Sequence, residues 1–450
     1  MSGDPQPGPL MGPGANRSAR RESSLLGFVS HVWRALRHRN FKLFFAGQSV
    51  SLIGTWMTRL ATSWLVYRLT HSALLLGVVS FSAQIVSFAL GPFAGVWVER
   101  LNRRKLLVFT QAAAAAQSLA MAALTLTHVI TLWEIIALAA LQGVINAFDM
   151  PGRQSFIVQM VEDRNDLSNA IAINSSMASG ARLIGPAVAG LVVAALGEGW
   201  CFLIDGISYF AVIASLLLMR IKPLRTPRPR AGMLAPMREG WDYVRSFPPI
   251  RTLLMFFALI SLMGYPYMVL LPVFAGQVLH GGAATLGWLT GASGVGAVLS
   301  ALSLAARKSV AGLPRMIQVA AAMLGGTLVL FGLSHWLWAS LLLMVFAGFG
   351  LMQFAAACNI LIQSLVSEDK RARVMSYYTM AFFGAAPFGS LLAGTLAHHI
   401  GAPHTMLITG AFCLAGALWF TLEVANIRSH LVNLRTKSLT PPSSPADKWI

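Results

Sequence analysis

Three features of this 450-residue chain predict an all-α integral membrane protein, with twelve transmembrane helices in two six-helix halves and both termini cytoplasmic. Hydrophobic residues make up 56% of the sequence and charged residues only 11%. Soluble proteins carry roughly 25% charged residues, and so few charges cannot cover a soluble surface of this size. The apolar residues come in unbroken runs near ~20, long enough for a helix to cross a bilayer, rather than in the ~10-residue alternations of a barrel. The basic residues, 34 Lys+Arg against 16 Asp+Glu for a net charge of +18, sit in short blocks between those runs. That placement speaks for orientation in a membrane and against nucleic acid as a partner.

The elements follow in order. Residues 1–40 are rich in Pro, Gly and Ser, lack the apolar core of a signal peptide and read as a disordered cytoplasmic tail. The N-terminal half, 41–220, holds six apolar runs, at 44–66, 74–98, 106–127, 131–151, 169–195 and 201–219. Its second run carries Gly91-x-x-x-Gly95, a small-residue spacing suited to close helix approach. A basic linker, 221–250, follows, with a short amphipathic helix expected around Met237–Arg245. The C-terminal half, 251–424, holds runs at 252–276, 284–305, 314–333, 336–362, 375–397 and 403–424. Residues 425–450 read as a second disordered tail.

Charge checks the count. With both termini inside, 31 of the 34 Lys and Arg are cytoplasmic, Arg68 alone is outside, and Arg59 and Arg182 lie within spans. One span too many or too few in mid-chain would destroy this asymmetry. An internal repeat supports the halves. At a fixed offset of 204, Gln159, Gly180, Ala181, Gly185, Ala189 and Gly190 meet Gln363, Gly384, Ala385, Gly389, Ala393 and Gly394. Span five thereby corresponds to span eleven, as in transporters built from parallel repeats.

Within the spans, polar residues are few enough to weigh singly. Gln48, Ser51, Thr55, Thr58, Arg59 and Thr62 of span one fall within an arc of about 100°. Such a stripe cannot face lipid, so it faces either a watered cavity, the favoured reading, or other helices as hydrogen-bonding glue. Arg182, near the middle of span five, needs an acceptor, whether a carboxylate, backbone carbonyls or an anionic substrate group. No carboxylate lies at mid-span. Asp205, towards the outer end of span six, is the best candidate for carrying a coupled proton, with burial against Arg59 or Arg182 as the alternative. The histidines match no zinc spacing, and Cys201, Cys358 and Cys413 are far apart within apolar runs, so no metal, disulfide or cofactor is expected. Gly291-Ala-Ser-Gly294-Val-Gly296 lies inside an apolar span without a preceding strand and is no dinucleotide loop. Nor is there a Walker loop or nucleophile elbow, so catalysis by this chain is not expected.

The loop Gly95-Val-Trp-Val-Glu99-Arg100-Leu-Asn102-Arg103-Arg104-Lys105 resembles the loop signature of the major facilitator superfamily, departing from it at Glu99 and Asn102. Gly185-Pro186-Ala-Val-Ala-Gly190 is close to the Gly-Pro-Gly signature of its antiporters, with Gly190 one position late. Stretches such as TWMTRLATSWLVYRLT and RVMSYYTMAFFGAAPFGSLLAG look most like the enterobactin-exporter and macrolide-efflux branch. The resemblance runs from about Arg39 to Glu423. It implies that Gly95, Glu99, Arg100, Arg103 and Arg104, with Asp149 of span four, form a cytoplasmic gate locking the halves together when the transporter faces outward. It implies helix packing at Gly185, Pro186 and Gly190. It also implies export of an amphiphilic small molecule, drug-like or siderophore-like, by alternating access and proton antiport across the cell inner membrane, by a monomer. Besides Gln48, Ser51, Thr55, Arg59 and Arg182, Tyr265, Tyr377 and Tyr378 are expected along the pathway, stacking on a flat ligand or packing in the core. The alternatives are a lipid or lysolipid translocator on the same fold and a non-transporting membrane sensor or assembly partner.

Overall fold

The computed structural model describes residues 34–221, 234–307 and 312–439. Helices dominate: α1 (Arg39–Thr70), α2 (Ala73–Arg100), α3 (Arg103–Leu126), α4 (Leu132–Met160), α5 (Leu167–Leu196) and α6 (Glu198–Leu218) form the first half. A linker helix α7 (Leu234–Ser246) leads to α8 (Pro248–Met263), α9 (Tyr267–Val273), α10 (Ala283–Ala305), α11 (Leu313–Leu333), α12 (Leu337–Leu365), α13 (Glu368–Ile400) and α14 (Ala402–Leu439). The α8–α9 segment and the π-helical turn Phe274–Val278 together make one passage, Pro248–Val278, bent where Pro266 and Pro272 lack the amide a continuous helix needs.

Eleven passages among the described residues are long and apolar enough to cross a membrane. The twelfth, α1, is 32 residues long, but its polar stripe and its basic residues Arg39, Lys42, Arg59 and Arg68 lower its hydropathy. Helix ends are set locally. Ser72 and Asn102 accept from the amides of Leu75 and Lys105, and a Thr131–Glu134 capping box starts α4. The far-end connections after α1, after α3 and after the π-helical turn each hold a histidine at positive φ (His71, His128, His280), a conformation the imidazole tolerates better than β-branched residues.

Three stretches are more ordered than the composition predicts. Residues 34–40, expected within a disordered tail, form a 3-10 turn (Arg34–Arg37) and the start of α1, held by Arg34–Asp166 and by the Ala35 amide on Asn169. The linker helix extends to both sides of Met237–Arg245. Residues 425–439, expected to be disordered, continue α14, because no Gly or Pro interrupts the chain before Pro441.

Each half closes on itself, α1 against α6 and α3 against α6 in the first, α10 against α12 and α11 against α14 in the second. The halves meet through two pseudo-equivalent contacts, α5 on α10 and α2 on α13. In the first, a Cβ at Gly190 would stand 2.8 Å from the Cα of Gly287; in the second, one at Gly394 would stand 3.0 Å from the Cα of Gly77. Gly190 and Gly394 are repeat equivalents. So are Gly197 and Gly401, which turn the chain at φ +93° and +83° after α5 and α13. Only glycine permits helices to approach this closely.

Candidate functional site

The halves do not touch along their whole length. Call the end of the bundle that carries both termini and the basic loops the basal end. At the far end, Ser80 and Gln84 hydrogen-bond Ser390 (3.3 Å each), Phe81 packs on Phe388, and Tyr67 closes on Gly276 in the π-helical turn. Further towards the basal end, Leu183 and the Arg182 carbonyl lie against Gly294, and Phe88 lies against Gly384. Beyond them, a Cβ added at Gly180, Gly91 or Gly95 would meet nothing within 4 Å. The Gly91-x-x-x-Gly95 pair therefore has no helix packed on it here, because it lies on the open part of α2. The result is a wedge, sealed at the far end and open at the basal end.

Near the apex of this wedge two arginines approach one indole. Gly185 lets α5 cross α1 directly at Trp56, where a Cβ would stand 2.5 Å from the Trp56 Cβ and 3.0 Å from the Ile53 carbonyl oxygen. The guanidinium carbons of Arg59 and Arg182 lie 4.8 and 5.6 Å from the Trp56 ring centroid, within cation–π range. Both side chains face the centre of the bundle. Arg59 is nine positions from the exposed, apolar Val50, which places them on opposite faces of α1; Arg182 is nearly opposite the exposed Ile184 on α5. Neither guanidinium has a carboxylate or hydrogen-bond partner among the described residues. Two unit charges at most about 10 Å apart repel by at least about 1.7 kcal/mol at an effective dielectric near 20.

The remainder of the span-one stripe divides. Gln48 and Ser51 are buried within the first half, and Thr55 back-bonds to the Ser51 carbonyl and approaches the Tyr209 hydroxyl at 3.4 Å. Thr58 donates to Asp205 at 2.8 Å, as Ser118 does at 3.0 Å. Asp205 is thus buried among α1, α3 and α6, with no ion pair to Arg59 or Arg182 and, among the described residues, no hydrogen-bond partner for its Oδ1. Of the stripe, Arg59 is the member presented to the wedge and the others named here are interhelical contacts.

At the basal end the predicted gate residues are not assembled. Asp149 is buried and bound within its own half: Arg153 pairs with Oδ2, while Thr110 (2.9 Å) and Gln111 (2.8 Å) donate to Oδ1. Arg104 donates to the Leu217 carbonyl at 2.6 Å, Arg100 is exposed, and the Arg103 Nε is buried without a partner among the described residues. The side chain of Glu99 lies outside the described residues. Gly95 sits on the open face of α2.

The tyrosines are dispersed. Tyr265 packs edge-on against Phe382. Tyr378 stacks on Phe257 at 4.2 Å and donates to the Ala355 carbonyl, so its ring is committed to the second half's core. Tyr377 packs on Trp241 of the linker helix, which is also tied to α13 by Glu239–Arg373. Pro186 is buried, and its carbonyl faces Gly287. Trp56 and Arg153 were not among the expected site residues, although Trp56 is three positions before Arg59 and Arg153 four after Asp149, both one helical turn away. Arg68, the lone basic residue expected outside, pairs through two hydrogen bonds with the nearly buried Glu198.

Comparisons with known proteins bear on what this wedge serves. A family model described as transmembrane secretion effector matches residues 30–442. The staphyloferrin A transporter of Staphylococcus aureus is 26% identical over 384 residues, covering 84% of this chain and 95% of its own. Macrolide efflux protein A of Streptococcus pyogenes is 23% identical over 397 residues, covering 85% and 96%. Among solved structures, a bacterial homologue of the human lysosomal transporter Spinster, inward-facing and unoccupied, matches with TM-score 0.66 at 15% identity, over 86% of this chain and 96% of its own. That last likeness concerns the fold. With a family match over nearly the whole chain, a bundle of apolar helices and relatives that are transporters rather than enzymes, the chain belongs to the transmembrane secretion effector family of the major facilitator superfamily and is a multi-pass membrane transporter.

Proposed function

We propose that this chain is a secondary active transporter that exports an amphiphilic small molecule by alternating access, in exchange for protons, across the cell inner membrane. The wedge carries this reading: two pseudo-equivalent glycine contacts join the halves at one end only, so rocking about them would open that end and close the other. Both termini are cytoplasmic in this account, on the strength of the basic-residue asymmetry, and the wedge faces the cytoplasm. The unassembled gate fits that orientation, because the gate's contacts belong to the opposite state. Relatives named for staphyloferrin A and for macrolide efflux support a drug-like or siderophore-like substrate moved outward. Asp205 is the proposed coupling acid, being a buried carboxyl with one oxygen that has no hydrogen-bond partner among the described residues.

The test is proton movement in proteoliposomes under an imposed pH gradient, with amphiphilic drugs, siderophores and lysolipids offered in turn. Substrate-triggered collapse of the gradient supports antiport. Movement of a bilayer-borne lysolipid, with no response to aqueous compounds, would replace it with lipid translocation. An Asp205→Asn protein that still concentrates substrate against its gradient would place the coupling acid elsewhere.

A further inference from the structure

The apex of the wedge holds more positive charge than the fold requires. A guanidinium inside a membrane protein needs an acceptor, and Arg68, Arg104 and Arg153 all have one in Glu198, the Leu217 carbonyl and Asp149. Arg59 and Arg182 are different. Both point between the halves, both lean on the Trp56 indole, and among the described residues neither has an anionic partner. Asp205 makes no ion pair with either arginine: its Oδ2 accepts from Thr58 and Ser118, so it acts on Arg59 only as a more distant charge. An anion between the two guanidiniums would relieve their mutual repulsion and supply the missing acceptor, while an aromatic part of the same molecule could lie against the indole.

We infer that Arg59, Arg182 and Trp56 form a binding site for the anionic group of the transported molecule, whose class is an aromatic or otherwise amphiphilic organic carboxylate. This rests on the transport reading above and names the substrate class of that same wedge. A cation of similar shape would meet two like charges at the apex and be rejected. A carboxylate on a soluble amphiphile and an anionic lipid headgroup present the same chemistry, so the test has an arm for each.

The experiment uses the full chain, purified in a non-ionic detergent, and matched acid and amide pairs: benzoate with benzamide, 1-naphthaleneacetate with its amide, and 1-pyrenebutyrate with its amide. Binding is read from thermal stabilisation as a function of ligand concentration. The wild type is expected to prefer at least one acid over its amide by roughly tenfold or more. Arg59→Gln and Arg182→Gln should each reduce that ratio, the double variant should bring it to about one, and the Arg182→Lys protein should keep part of it. The same titration in phosphatidylcholine vesicles, with and without phosphatidylglycerol, assigns the site: competition by phosphatidylglycerol means that the anion is a headgroup. Equal affinity for acid and amide in every pair, absence of binding by all of them, or a preference that survives the double variant would overturn the inference. If the wild type instead moves neutral or cationic compounds in the proteoliposome assay, transport stands and the anion site alone falls. If nothing moves, the transport reading falls with it.

Discussion

Adding one methyl group at Gly190 should change which end of the transporter is open. A Cβ there would stand 2.8 Å from the Gly287 Cα, 2.9 Å from the Ala283 carbonyl oxygen and 3.3 Å from the Ala284 Cα. Carbon atoms at rest keep about 3.5–4.0 Å apart, and these neighbours are backbone atoms of α10 that cannot rotate away. The halves must therefore separate at this point or strain, at a cost of about 1–3 kcal/mol for overpacking. Alanine also favours the helix over glycine by about 1 kcal/mol, but α5 is helical in both states and that gain cancels between them. What remains is a penalty on the far-end-closed state alone, equivalent to a shift of about 5- to 150-fold in population. Gly394→Ala, its repeat equivalent against Ala73 and Gly77, should act in the same direction. The assay is labelling by a membrane-impermeant maleimide of Ser390→Cys, fully buried at the sealed end, and Ser175→Cys, exposed at the open end. The three native cysteines are buried and can be replaced beforehand. Gly190→Ala should raise labelling at position 390 and lower it at 175. A variant that inserts normally and leaves both sites unchanged would refute the idea that this glycine contact belongs to one state.

Two further outcomes follow from the basal end. Asp149→Asn leaves Arg153 without its carboxylate in a largely buried site, and should lower the stability of the purified protein by about 3–5 kcal/mol, with an Arg153→Gln second change recovering part of the loss; equal losses in single and double variants in thermal unfolding would remove the pair from the account. Asp166, in the connection between α4 and α5, is held below its ordinary 3.8, first by the hydrogen bond from His38 and then by Arg34. A depressed carboxyl contributes stability that is complete above its unfolded-state value and is lost as pH falls through the lower folded value. Protection from hydrogen exchange at the Ala35 amide, which bonds Asn169 beside this cluster, should fall only in that acid range in the wild type, and an Asp166→Asn protein with the same acid profile would contradict it.

Much of this architecture is readable from the residues alone, because a bilayer leaves few choices: long apolar runs must be helices and their charged ends must stay in water. The repeat is equally plain, since glycines such as Gly190 and Gly394 are retained in both halves where helix backbones touch. The site is harder. An arc of about 100° on α1 spans both the helix packed beside it and the space between the halves, so the stripe alone does not separate Thr58, spent on Asp205, from Arg59, left open. Asp149 is expected to meet the loop arginines, whereas in this structure Arg153, one turn away on the same helix and not singled out by the sequence, pairs with it. Tyr377 and Tyr378 are adjacent in sequence but diverge, one to the linker helix and one into the core, because consecutive helical residues do not share a face.

The most direct measurement of the central claim, that transport requires the two halves to part at the far end, is transport by a protein cross-linked there. Ser80 and Ser390 place their hydroxyl oxygens 3.3 Å apart across the α2–α13 contact. A Ser80→Cys and Ser390→Cys protein without its native cysteines should form a disulfide on oxidation, and flux in proteoliposomes should then stop and return on reduction. Full flux through the oxidised, cross-linked protein would contradict alternating access as the mechanism.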